Sequence, residues 1–248
     1  MELVRAAALT AYFTVARSVG LDWAPLLRAV GLTRGMLAHT EAMIPARAVI
    51  ALLEASAEKA RCPTFGLRMA EARTLADMGM ISVLIAHQPT LRDALGVLQS
   101  YRNRINSTLI LQIEEARGTL VLREEFAIPA ASHARQSSDL ALGVLARTCA
   151  AVLAGQWHPD YAAFAYPEPP PADRAIYPRL FGCRAVFGAD FTGLVLDAAA
   201  LDRPNPRADP ALAAHARTLV ETIIGPGERT VAQEVEQCLL LLLPSGRA

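Results

Sequence analysis

Lysine is almost missing from this chain: Lys59 is the only one, the other basic residues are arginine, and 24 basic residues are balanced by 24 acidic ones. A formal charge of zero leaves no electrostatic footprint for nucleic acid or an anionic membrane, both of which need a basic excess. The arginine bias, together with abundant alanine, reads as genomic base composition and not as function. The four cysteines (Cys62, Cys149, Cys183, Cys238) lie far apart, with no C-x-x-C pair and no histidine at zinc-ligand spacing. They are expected to be buried small hydrophobes in a reducing compartment. No run of about 18 uncharged apolar residues is present, so no membrane span is expected. "AAALTAYFTVA" could pass for the core of a signal peptide, but Glu2 spoils its charged flank and Leu3, Ala7, Thr10, Thr14 and Arg17 have the spacing of a mixed-face helix. A cytoplasmic protein is expected.

The motifs of catalysis are missing too. There is no P-loop, no G-x-G-x-x-G after a strand, no G-x-S-x-G elbow and no H-E-x-x-H. The five histidines (His39, His87, His133, His158, His215) are scattered, none a helical turn from another of its kind. No enzymatic activity, metal or cofactor is expected.

What is present is a chain of 248 residues, 53% hydrophobic, enough for a real core. Residues 1–105 read as helices joined by short turns. Asp22 caps "WAPLLRAV" and Gly31 ends it, and Pro45 opens "ARAVIALLEASAEKA" as a first-turn proline. Thr74 with Asp77, and Thr90 with Asp93, have N-cap-to-N3 spacing. The second pair opens a helix whose stripe is Leu91, Ala94, Leu95, Leu98 and Arg102. The period then drops to two. In "STLILQIEEARGTLVLREEF", Leu109, Leu111 and Ile113, then Leu120, Leu122 and Phe126, alternate with their neighbours across a loop holding Gly118, which spells a β-hairpin. A long helix is expected from about Ser132 to Leu153, then short strands at "YAAFAY", "CRAVFG" and "TGLVLD" with a turn of helix around Tyr177, and two closing helical stretches. Helices first, then hairpin, helix and strands, make an α+β order: a helical N-terminal part packed on a small, mainly antiparallel sheet with flanking helices.

Binding signals are weaker. "HQPT" (His87 to Thr90) forms a corner between helices, and "SYRNR" (Ser100 to Arg104) joins helix to sheet. Arg102 falls on an apolar stripe, where an arginine needs a buried acceptor. It is either a structural salt bridge or carbonyl cap, or else Arg102, or Arg104, anchors an anionic effector by a bidentate contact. His133 and Arg135 open the long helix, where the dipole disfavours a cation, so Arg135 is expected to turn away towards an acid. Phe164, Tyr166 and Phe187 lie in strands, a position more often core than ligand wall. From position alone, the residues assigned to effector binding are His87, Tyr101, Arg102, Arg104, His133, Arg135 and Phe164.

"FGLRMAEART" and "GMISVLIAHQPTLRDALGVLQSYRNRINSTLILQIEE" resemble the N-terminal effector-binding region of one branch of AraC-type transcriptional regulators, the arabinose-binding-like branch. The resemblance continues through "GQWHPDYAAFAYPEPPPADRAIYPRLFGCRAVFGADFTGLVLDAAALDRPNP", on Trp157, Pro159, Tyr177, Phe181, Gly182, Cys183, Phe187, Leu201, Asp202 and Pro204. Ala185, Val186 and Tyr166 depart from it; many relatives have histidine at the position of Tyr166. The end of the chain, "TVAQEVEQCLLLLLPSG", is similar to the first helix of the family's C-terminal helix-turn-helix domain. Thr230 and Gln233 have capping-box spacing there, Val231, Val235, Cys238, Leu239 and Leu242 form an apolar stripe, and Leu240, Leu241 and Leu243 make the last turn apolar all round before Pro244 and Gly246.

The resemblance implies a sensor domain over residues 1–225 (helical 1–105, α+β 106–225). Residues 226–248 would be a linker and the first helix of a truncated DNA-binding domain. A small-molecule effector, mainly apolar with an anionic end, would bind between the helical part and the sheet. DNA would be met only through the absent domain, and a homodimer is expected. Two alternatives stand beside it: a ligand-free dimerisation module, which needs a filled interior and a large apolar interface, and a haem sensor, whose colour would reveal it.

Overall fold

A computed structural model describes residues 2–128, 134–154 and 157–225, together with Val235 and Leu239. The chain opens not with a helix but with a short strand, β1 (Leu3–Arg5), followed by a 3-10 turn over Ala6–Leu9. Helices α1 (Tyr12–Ser18), α2 (Ala24–Ala29) and α3 (Arg34–Ala38) follow, and then β2 (Met43–Pro45). β2 pairs antiparallel with β1, Leu3 opposite Pro45 and Arg5 opposite Met43. The all-helical reading of residues 1–105 is therefore corrected at these two strands. Each is three residues long, too short to leave a period in the sequence, and each is held by a partner about forty residues away.

α4 (Ala46–Lys59) starts directly after Pro45, which serves as its N-cap. It buries Ala46, Val49, Leu52, Leu53, Ser56 and Ala57. α5 (Phe65–Glu71), a 3-10 turn over Leu75–Met78, α6 (Met80–Ala86) and α7 (Leu91–Ile105) complete the helical part. Thr74 and Asp77 form the reciprocal capping box that their spacing predicts, and the Thr90 side chain accepts from the Asp93 amide.

The hairpin is β3 (Leu109–Ala116) and β4 (Thr119–Phe126), joined at Arg117 and Gly118, both at positive φ (51° and 80°), the geometry of the tight turn that matches strand twist. α8 (Arg135–Val152), β5 (Tyr161–Phe164), α9 (Ile176–Phe181), β6 (Arg184–Phe187), β7 (Gly193–Asp197) and α10 (Pro210–Ile224) follow. The five strands are ordered β3-β4-β7-β5-β6, all neighbours antiparallel except β5 and β6. The architecture is α+β, with a mainly antiparallel sheet.

Two apolar cores result, and α8 joins them. Leu140 packs with Tyr12, Leu53 and Phe65 of the N-terminal helices, whereas Leu142, Leu145 and Cys149 pack with Leu122, Phe164 and Leu194 of the sheet. The start of α8 is pinned to the N-terminal part. Its Gln136 amide donates to Glu54 Oε1 at 2.6 Å, an acid at a helix N-terminus where the dipole favours one. The Gln136 side chain accepts from the Gly66 amide at 2.8 Å and donates to the Pro63 carbonyl at 3.1 Å. Gly66 allows this approach, since a Cβ there would meet the Gln136 carbonyl oxygen at 2.0 Å.

Cys62 and Cys149 are buried free thiols as expected, whereas Cys183 is only partly buried, its thiol pushed up to about 11 by desolvation. Val235 and Leu239 are helical and about half exposed (51% and 49%), so at these two positions the stripe is not docked into the core. Thr230, Gln233, Cys238 and the leucines from Leu240 to Leu243 lie outside the described residues. Among the described residues, no helix is long and apolar enough to cross a membrane.

Candidate functional site

A cavity of about 140 Å³ lies where the N-terminal helices, the sheet and α8 meet. Its wall comes from β1 and the turn after it (Val4, Arg5, Ala7, Ala8), from α4 (Ala46, Val49, Ile50, Leu53) and from α7 (Leu98, Arg102, Ile105). The hairpin adds Leu109, Leu111, Glu124 and Phe126, and α8 adds Ser137, Leu140, Ala141, Val144, Leu145 and Thr148. The wall is mostly apolar with a few polar groups, the character of a small-molecule site. An apolar cavity of about 150 Å³ is known to admit benzene, so the body that fits here is of that order.

Most of the charge on the wall is already committed. Arg5 is buried, pairs with Glu41 and donates to the Met78 carbonyl at 2.9 Å. Arg73 donates to the Ala8 carbonyl at 3.0 Å. Asp77 is held in its capping box, accepting from the Thr74 amide at 2.7 Å.

Glu124 is different. On β4 it shares a face with Leu122 and Phe126 and sits opposite Leu111 on β3, so an acid occupies the apolar side of the hairpin. Burial pushes its carboxyl up to about 8, and its Oε2 has no hydrogen-bond partner within the protein. Ser137, 6% exposed, also lines the cavity with an unpartnered Oγ. Buried polar atoms are paired in the great majority of cases, so these two need an explanation.

A second polar cluster sits under the sheet. Asp139 is fully buried, accepts from the Tyr166 hydroxyl at 2.6 Å, and lies 3.8 Å from Arg135 one turn before it. Burial pushes its carboxyl up to about 7, against the opposing pull of Tyr166 and Arg135. The Arg135 guanidinium lies 3.9 Å above the Tyr166 ring. Tyr166 and Tyr177 exchange a hydroxyl contact at 3.2 Å. This cluster ties α8 to the sheet and does not line the cavity.

Of the seven residues proposed from sequence, Arg102 lines the cavity, at the end of the stripe where its spacing puts it. His133 lies outside the described residues. The other five are placed elsewhere. The His87 imidazole contacts the Arg207 carbonyl at 2.9 Å and fixes the loop before α10. The Tyr101 hydroxyl donates to Glu221 on α10 at 3.4 Å, and Arg104 lies against Gly225. Arg135 meets the acid expected of it, Asp139, and Phe164 is the centre of an aromatic core. Glu124 is absent from the sequence-derived set, although the alternation Leu120, Leu122, Glu124, Phe126 already puts it on the inward face. Among the described residues, no group of three His, Cys, Asp or Glu side chains is placed to hold a metal ion.

Residues 20–205 match the family model described as the arabinose-binding domain of AraC transcription regulators, N-terminal. Over 248 residues the chain is 27% identical to the HTH-type transcriptional regulator VirS of Mycobacterium tuberculosis, covering 99% of this chain and 72% of VirS. A crystal structure of the transcriptional regulator CdpR from Pseudomonas aeruginosa superposes with a TM-score of 0.58 at 16% identity, over 88% of this chain. The superposition spans 64% of the CdpR chain, and at that identity it speaks to the fold alone.

Proposed function

The chain belongs to the family of AraC transcription regulators that carry this arabinose-binding domain in their N-terminal part, and from that premise we propose that it senses a small molecule in the cavity between its N-terminal helices, its sheet and α8. The relatives are transcriptional regulators and not enzymes, in keeping with a regulatory role in the cytoplasm. The observation that carries the reading is the cavity itself, walled by both halves of the fold and by the helix that joins them. An occupant touching all three favours one arrangement of them over others, which is the physical requirement for a ligand to shift a conformational equilibrium. The part that reads DNA is assigned to residues beyond 225, on the resemblance of 226–248 to the first helix of a helix-turn-helix domain. The effector is mainly apolar, because the wall offers few hydrogen-bond partners. A pentose, with a hydroxyl on nearly every carbon, would leave most of its polar groups unpaired. Glu124 is its polar contact, and Arg102 lines the same cavity.

The alternative, a ligand-free dimerisation module, needs a filled interior, and the cavity speaks against it as the whole function. Pairing of two copies belongs to the same proposal, supported by Leu212, Leu219 and Ile223, which share one row of α10 and are exposed.

Native mass spectrometry beside the denatured mass tests the reading. We expect a non-covalent adduct on the wild type that is lost in Ala141→Phe, which fills the cavity from α8. An adduct retained equally by the folded variant would place the binding site elsewhere.

A further inference from the structure

We infer that Glu124 is the residue that selects the effector, and that the effector is a small apolar molecule carrying a primary amine, bound as the ammonium. The inference rests on the cavity being the effector site and goes one step further, to the chemistry of the occupant.

Oε2 of Glu124 and Oγ of Ser137 have no partner within the protein, and both can accept a hydrogen bond. The hairpin register surrounds Glu124 with Leu111, Leu122 and Phe126, which have nothing to donate. Of the three arginines on the wall, Arg5 pairs with Glu41 and the Met78 carbonyl and Arg73 donates to the Ala8 carbonyl, each keeping an unpartnered Nε, and Arg102 lines the same cavity. Asp77, the other carboxyl of the wall, is closed in its capping box. The Glu124 carboxyl is matched by a ligand base that takes its proton and donates back to the carboxylate so formed. A primary ammonium supplies three donors and neutralises the carboxylate inside an apolar wall. A carboxylate ligand could pair with Glu124 only while Glu124 keeps its proton, and a hydrocarbon would leave both oxygens unpaired. The volume sets the body, about that of one six-membered ring. The anionic end expected from Arg102 makes the opposite prediction and is the rival in the test.

The experiment is calorimetric titration of the full 248-residue chain with toluene, benzylamine and benzoate, probes of one shape that differ in charge. Benzylamine is expected to bind about tenfold or more tightly than toluene and more tightly than benzoate. Glu124→Gln is expected to bring benzylamine down to the level of toluene while leaving toluene within about twofold of its wild-type affinity, which also shows that the variant is folded. Ser137→Ala should weaken benzylamine by about three- to fivefold and leave toluene unchanged. If toluene binds and benzoate is the tightest of the three, or if benzylamine keeps its affinity in Glu124→Gln, the assignment to Glu124 is overturned while the cavity remains a binding site. If none of the probes, toluene included, binds the wild type, the cavity reading fails and the inference fails with it.

Discussion

Replacing Phe164 with alanine is expected to lower the unfolding free energy by about 3–5 kcal/mol, a third or more of the stability of an ordinary domain. Phe164 has no exposed surface, and its ring lies 5.1–5.6 Å, centroid to centroid, from those of Tyr166, Tyr177, Phe181 and Phe187. It thereby joins β5 to β6 and α9 at one point, and no neighbour can close the gap left by its removal without moving a strand. The loss should be read in the denaturant midpoint at an unchanged m value. Binding in the cavity should survive in the folded fraction, because Phe164 contributes nothing to its wall. A variant that keeps its stability but loses the adduct would make Phe164 a ligand contact after all.

The second large effect is on pH. The Glu124 carboxyl has an ordinary value of 4.5 when the chain is unfolded and about 8 when folded, raised by burial. Between those values the folded protein holds a proton that the unfolded chain has released, so stability is fully present below pH 4.5 and is lost as pH rises towards 8. At about 1.4 kcal/mol per pH unit the ceiling is roughly 5 kcal/mol. Hydration of the carboxylate from the cavity offsets part of it, leaving on the order of 2–3 kcal/mol between pH 5 and pH 8. Asp139 contributes in the same direction, since burial raises it from 3.8 to about 7. Glu124→Gln isolates the first group: its stability should fall less steeply than that of the wild type over this range, and the variant should be the more stable of the two at pH 8. Parallel curves would mean that Glu124 is ionised and solvated in the folded protein.

Much of this fold can be read from the sequence alone. The caps at Thr74 and Thr90 rest on local spacing, and so does the switch from a helical period to alternation at Leu109; both are reproduced. The long helix is found over Arg135–Val152, its expected start near Ser132 lying outside the described residues. What escapes is whatever depends on a distant partner. β1 and β2 are held by each other and by a bridge from Val4 to Asn106, and nothing local marks them as strands. The same limit separates Arg102 from its neighbours. Its stripe turns it inward to the cavity, whereas His87 and Tyr101 face the segment around α10, whose docking could not be foreseen. Glu124 was legible, because an acid two residues from Leu122 and two from Phe126 must share their face.

A small apolar molecule is expected to occupy the space between α4, the hairpin and α8. The most direct measurement is anomalous diffraction from crystals soaked in 4-bromotoluene. A bromine peak is expected inside the cavity, against Val49, Phe126 and Leu145, and no such peak in crystals of Ala141→Phe. Bromine bound only at the protein surface, with none in the cavity of the wild type, would contradict it.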